Sequence, residues 1–141
     1  RYSEAEERER GITYAEKDEV IRRADVLSLH TPLTPETRHL IGARELAMMK
    51  PTAILINTAR GAVVDEPALV AALKDGRIAA AGLDVFEQND VPSPELFELE
   101  NVSLTPHIGT QTYDSRVEMV HELCNNVIGF LRGDRKIDRV N

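Results

Sequence analysis

Short apolar runs alternate along this chain with stretches in which apolar residues recur every three or four positions. The runs fall at residues 26–29, 53–57, 80–85 and 102–104, with Asp25, Pro51, Gly76 and Asn101 within four residues before them. Runs of that length between turn residues predict strands. Between them, residues 16–24, 42–49 and 65–76 carry helical spacing. In the last of these, Asp65-Glu66-Pro67 supplies a cap acid and a first-turn proline, Leu69, Val70 and Leu73 form an apolar stripe, and Gly76 ends the helix. Residues 112–132 keep Val117, Val120, Cys124, Val127 and Leu131 at helical spacing before Gly133. That stripe predicts a buried, inert Cys124 thiol. The charged run at residues 3–10 reads as a solvated helix or turn. Strands alternating with helices predict right-handed crossovers, a parallel sheet and an α/β fold. Residues 53–57 are apolar nearly throughout, which predicts a strand covered on both faces.

In open parallel sheets the ligand sits beyond the carboxyl ends of the strands. His30-Thr31-Pro32 follows the first strand, Asn57-Thr58-Ala59-Arg60-Gly61 the second, Asp84 the third and Pro106-His107 the fourth. Arg60 reads either as a surface arginine or as a fork that grips a carboxylate bidentately. Gly61 beside it lets backbone approach closely. His107 reads either as a hydrogen-bonded loop histidine or as a group that gives and takes a proton near neutrality. His30 is placed to orient the loop after it, and His39 reads as exposed or half-packed.

Composition narrows the classes. Seventeen Lys and Arg stand against 24 Asp and Glu, a formal net charge of −7, in 141 residues. That balance argues against a partner with a phosphate backbone. No apolar run approaches the length of a membrane span. One cysteine excludes an internal disulfide, fits a reducing, cytoplasmic compartment and cannot build a structural zinc site. No histidine pair has ligand spacing, so no metal is expected. Arg132-Gly133-Asp134 is explained as a helix C-cap rather than an adhesion tripeptide. The chain opens on Arg1 within a polar run, and reads as a fragment or processed product.

Five ordered motifs resemble those of the D-isomer-specific 2-hydroxyacid dehydrogenases. They are Ala24-Asp25-Val26-Leu27-Ser28-Leu29-His30-Thr31-Pro32-Leu33-Thr34, Met49-Lys50-Pro51, Ile56-Asn57-Thr58-Ala59-Arg60-Gly61, Gly82-Leu83-Asp84-Val85-Phe86-Glu87 and Leu104-Thr105-Pro106-His107-Ile108-Gly109. The resemblance implies the second half of a Rossmann-like nucleotide-binding domain over residues 1–111. Residues 112–141 are then a terminal helix and tail returning toward a substrate domain. It implies NAD or NADP as cofactor, a small 2-oxo or 2-hydroxy acid as substrate, and a homodimer of the full-length protein. Arg60 matches the arginine that binds the substrate carboxylate, and His107 the acid that protonates the carbonyl oxygen. Asp84 matches a residue near the nicotinamide carboxamide. Thr31, Pro32 and Thr37 match loop positions along the dinucleotide, Thr58 and Ala59 contact its nicotinamide side, and backbone from His107 to Gly109 closes that end.

Two departures from the pattern carry expectations. Asn89 stands where the family pairs its histidine with a glutamate, so the imidazolium loses a charge partner. The reduction rate is then expected to fall off at lower pH than usual, with Glu87 as a stand-in carboxylate. Related formate dehydrogenases place an amide there and need no proton transfer. The Gly-x-Gly-x-x-Gly turn that holds a pyrophosphate is also absent from these 141 residues. The alternative to an enzyme is therefore a weakened or inactive dinucleotide-binding module, like the corepressors built on the same fold. Arg1 and Ser3 are the residues here that suit a 2′-phosphate.

Overall fold

Local sequence sets the element boundaries in a computed structural model that describes residues 2–88 and 91–133. Ser3 caps α1 (Glu4–Arg10): its hydroxyl accepts the Glu6 N–H, and the Glu6 carboxylate accepts the Ser3 N–H at 2.8 Å. This reciprocal cap makes the charged run a helix. There follow α2 (Lys17–Arg23), β1 (Val26–Leu29), α3 (Ala43–Met48), β2 (Ile54–Asn57), α4 (Glu66–Lys74), β3 (Ala80–Leu83), β4 (Val102–Leu104) and α5 (Tyr113–Arg132). The Asp65 carboxylate caps α4 by accepting the Ala68 N–H at 3.0 Å. Beyond its other end Gly76, at φ 63°, turns the chain out while its N–H reaches the Leu73 carbonyl. Short 3-10 turns at Gly61–Val63 and Pro94–Glu98 have no counterpart in the periodicity.

The chain divides into two compact units, Arg1–Pro106 and His107–Asn141. In the first, four parallel strands stand in the order β1-β2-β3-β4. The register puts Leu29, Asn57, Leu83 and Leu104 in one row, so all four strands end at the same level. Leu27, Leu29, Leu55, Ala81 and Leu83 point to one face and cluster with Ile21 of α2, Leu46 of α3, and Leu69 and Leu73 of α4. The opposite face differs from expectation. Val26 is exposed, and Ile54 and Ile56 are only partly buried. The helices that supply the core side chains all share the face of Leu27 and Leu55, so β2 is fully covered on one side only.

The second unit is a loop followed by α5, capped by Thr112 at its start and by Gly133, at φ 78°, at its end. Cys124 is exposed, not buried. A single helix and its loop supply no second surface to cover the stripe, and of α5 only Gly129 is buried.

A cluster of ion pairs joins α2 to α3. Lys17 Nζ lies 3.0 Å from Glu45 Oε1, Arg44 Nη1 lies 2.7 Å from the same oxygen, and Arg44 also binds Asp18. Glu45 Oε2 accepts the Gly42 N–H at 3.2 Å. Burial pushes the Glu45 carboxyl up, but the hydrogen bonds from Lys17, Gly42 N–H and Arg44 outweigh it and hold it at about 2. A carboxyl lowered from 4.5 stabilises the fold above that pH, and the gain is lost as pH falls toward 2. Glu45→Gln is expected to cost about 1–2 kcal/mol at pH 7. Denaturant melts should show that difference shrinking steadily below pH 4.5.

Candidate active site

Each strand exit in the first unit is shaped by side chains that satisfy backbone left over where the sheet stops. After β1, His30 Nε2 and Ser28 Oγ lie 2.8 Å apart. The Thr37 hydroxyl donates to the Pro32 carbonyl and accepts the Thr34 N–H, both at 2.7 Å, which folds the loop on itself. Thr31 Oγ1 is buried and has no hydrogen-bond partner among the described residues. His39 takes a left-handed φ of 52° and donates its N–H to the Ala62 carbonyl at 2.8 Å. A histidine at positive φ is strained and stays only where its surroundings hold it.

After β2, Asn57 is 1% exposed and organises the next three residues. Its Nδ2 donates to the Arg60 carbonyl at 3.0 Å and its Oδ1 accepts the Ala59 N–H at 3.1 Å. Thr58, Ala59 and Arg60 thus wrap one buried amide. The Arg60 side chain is exposed, with Nη1 on the Ala59 carbonyl at 2.7 Å. Gly61 is buried against the third exit. A Cβ there would stand 1.9 Å from the Phe86 carbonyl oxygen and 2.6 Å from the Glu87 nitrogen.

After β3, Asp84 is 5% exposed and accepts the Thr105 hydroxyl at 2.5 Å. Its N–H continues the ladder to the Asn57 carbonyl, and the Thr105 N–H does the same to Leu83. Glu87 Oε1 binds Arg38 at 2.9 Å and His39 at 2.6 Å, and Oε2 accepts the Glu66 N–H at 3.2 Å. Burial pushes the Glu87 carboxyl up. The His39 hydrogen bond, the Glu66 N–H and the charges of His39 and Arg38 outweigh that and hold it below the usual range. Both Glu87 oxygens are therefore engaged, unlike those of a carboxylate waiting to serve as a stand-in.

The structure brings Thr31, Pro32, Thr37, Thr58, Ala59, Arg60 and Asp84 to the carboxyl ends of β1, β2 and β3. His107 and Gly109 belong to the second unit, where both are exposed and His107 has a left-handed φ of 53°. Asn89, with Arg1 and Asp90, lies outside the described residues. Sequence reasoning passed over the tasks of Asn57, His39 and Glu66. Asn57 did leave a signal, as the one polar residue in an inward position of an apolar strand. Among the described residues no His, Cys, Asp and Glu group is arranged to hold a metal ion, and no helix is long and apolar enough to cross a membrane.

Residues 1–109 match the family described as D-isomer specific 2-hydroxyacid dehydrogenase, NAD binding domain. The chain belongs to this family. It is 51% identical over 141 residues to a glyoxylate reductase of Thermococcus litoralis, covering all of this chain and 42% of that protein. A glyoxylate/hydroxypyruvate reductase B of Enterobacter agglomerans is 50% identical over 129 residues, which are 91% of this chain and 40% of that one. Among solved structures, a glyoxylate reductase of Paecilomyes thermophila superposes with a TM-score of 0.84 at 43% identity, over 91% of this chain and 39% of that one. The NAD-complexed D-isomer specific 2-hydroxyacid dehydrogenase of Lactobacillus delbrueckii ssp. bulgaricus gives 0.86 at 37% identity, over all of this chain and 46% of that one. The chain spans about two fifths of the length of the curated relatives it matches.

The contact between Gly61 and the Phe86–Glu87 peptide is close enough to test by substitution. Gly61→Ala should cost about 3 kcal/mol or more, because the added carbon meets backbone, which cannot swing aside. Gly42→Ala is the control. Its added carbon finds neighbours no nearer than 3.7 Å and should cost no more than about 1 kcal/mol in the same denaturant titration.

Proposed function

We propose that this chain forms the nicotinamide-side part of an NAD(P)-dependent dehydrogenase that interconverts a small 2-oxo acid, such as glyoxylate or hydroxypyruvate, with its D-2-hydroxy acid. The observation that carries the reading is Arg60, held out at the carboxyl end of β2 by the buried amide of Asn57. Family membership and the names of the relatives, glyoxylate and hydroxypyruvate reductases, point the same way.

The rim fits a dinucleotide. Thr31 Oγ1, in the loop after β1, is buried without a partner among the described residues, which suits a ligand that supplies one. The family's pattern assigns Thr31, Pro32 and Thr37 to the dinucleotide, Thr58, Ala59 and Asp84 to its nicotinamide end, and the backbone from His107 to Gly109 to that same end. When bound, the reduced cofactor supplies the hydride. Arg60 binds the carboxylate of the 2-oxo acid through two parallel N–H donors and draws electron density from the adjacent carbonyl. His107, as imidazolium, gives its proton to the carbonyl oxygen, so that carbon gains hydride, oxygen gains a proton and a hydroxyl results. Asn89 stands at the family's glutamate position, an amide where the family's pattern has a carboxylate. A cytoplasmic homodimer completes the reading: the lone cysteine suits a reducing compartment, and the apolar residues exposed on α5 suit pairing.

The test is oxidation of NADH and of NADPH with glyoxylate and hydroxypyruvate across pH, in the longest natural form that contains this chain. Arg60→Lys should lower kcat/KM on the order of 10²-fold, since an ammonium cannot reproduce the bidentate fork. His107→Asn should lower kcat by about 10²- to 10⁴-fold. Asn89→Glu should raise turnover and move its alkaline fall-off to higher pH. Dinucleotide binding without turnover in either the wild type or Asn89→Glu would overturn the enzyme reading and leave a binding module.

A further inference from the structure

Glu66 sits in the first turn of α4, yet the cap of that helix is Asp65. Its side chain is spent elsewhere. Glu66 is 7% exposed and uses both oxygens on backbone of the segment after β3: Oε2 accepts the Glu87 N–H at 3.0 Å and Oε1 the Ser93 N–H at 2.9 Å. Glu87 returns the contact by accepting the Glu66 N–H. Two carboxylates and two backbone groups thus close a reciprocal clasp. The peptide that Glu66 holds by its N–H is the Phe86–Glu87 peptide, against which Gly61 lies without room for a Cβ. Arg60 is the residue before Gly61. A displacement of that peptide toward Gly61 presses on the backbone next to Arg60, because the two lie together with no space even for a Cβ.

We infer that Glu66 is a positioning residue: by fixing the Phe86–Glu87 peptide beneath Gly61, it sets where the Arg60 guanidinium meets the carboxylate of a 2-oxo acid. This rests on the proposed role of Arg60 and extends it to a residue that touches neither substrate nor cofactor. Glu66 must accept at both oxygens, from the Glu87 N–H and from the Ser93 N–H. Glutamine at position 66 keeps one acceptor and turns an NH₂ group toward the other donor, so even this near-isosteric change breaks one side.

Glu66→Gln is compared with wild type, in the longest natural form containing this chain. Five quantities are measured: NADH Kd by fluorescence, glyoxylate KM and kcat, inhibition by oxamate (a carboxylate-bearing analogue that is not reduced), and Tm. The expected result is a glyoxylate KM and an oxamate inhibition constant each raised about ten-fold, with NADH Kd within about two-fold of wild type. A lower Tm with wild-type KM and oxamate inhibition would make Glu66 merely structural and overturn the inference. NADH Kd weakening in step with KM would overturn it too, as a general loosening of the unit. Should Glu66→Gln fail to fold, Glu66→Asp keeps the charge and withdraws it by one methylene. It is expected to show the same split, and wild-type values there would overturn the inference. Wild-type turnover with an unchanged variant sinks only the positioning role. A wild type with neither turnover nor oxamate binding sinks the reading of Arg60, and the positioning role with it.

Discussion

Where a parallel sheet stops, the last N–H and C=O groups of its strands face loops, and each one that is buried must find a partner or cost roughly 1–3 kcal/mol. In this protein all four strands stop at one level, so the demand is concentrated in one row beyond Leu29, Asn57, Leu83 and Leu104. Backbone meets part of it, as the N–H groups of Asp84 and Thr105 carry the ladder one residue past the strands. Side chains meet the rest. Asn57 serves the Ala59 and Arg60 backbone, and Glu66 and Glu87 serve one another's segments. Of the buried polar residues described in the unit, Asn57, Glu66 and Asp84 gather here because this is where backbone runs out of sheet, while Glu45 serves the ion pairs between α2 and α3.

Satisfying those groups also determines what the rim can do to a ligand. A loop tied at both ends by a buried amide presents its side chain from a fixed backbone, and Arg60 is such a side chain. Its bond to the Ala59 carbonyl uses one of five N–H donors. The guanidinium therefore has donors left for a planar, two-oxygen partner, and exchanging the one internal bond for a charged acceptor is favourable. The carboxylates nearby do not compete for it. Glu87 is engaged with Arg38, His39 and the Glu66 N–H, and Asp84 with the Thr105 hydroxyl. Acidic residues are as much a part of the rim as basic ones, but their charge is absorbed within the scaffold.

The strands and α2 to α5 were legible because each rests on a local rule. Period two or three-and-a-half sets the element, and Asp65, Pro67, Gly76 and Gly133 punctuate it. The placing of Thr31, Arg60 and Asp84 beyond the carboxyl ends of their strands was legible too, since strand ends in a parallel sheet share a side. What failed were inferences from composition to burial. The apolar run 53–57 suggested two covered faces, but periodicity says only that a face could be buried, not that something lies on it. Cys124 failed for the same reason. The clasp of Glu66 was illegible in a different sense, because its partners lie 21 and 27 residues away and are backbone groups that carry no residue signature. The need for glycine at position 61, where the Gly61–Val63 turn begins, is likewise set by the Phe86 backbone it meets.

The two surfaces left apolar bear differently on the site. In α5, Val120, Leu123, Val127, Phe130 and Leu131 are exposed along one helical stripe, the pattern of a helix made to lie against something. On the sheet, Val26, Ile54 and Ile56 occupy the face opposite the helices, and a parallel sheet ordinarily has cover on both sides. The anchors of the rim lie on neither surface. Asn57 shares the helix-covered parity of Leu29 and Leu83, and Glu66 reaches the β3 exit from the first turn of α4. The residues that hold Arg60 are thus tied to the face that is already packed within the first unit. Whatever covers the open face adds apolar burial to the strands without having to reorganise the amide and the two carboxylates that shape the loops. That separation leaves the geometry of the rim independent of whatever lies against the open face.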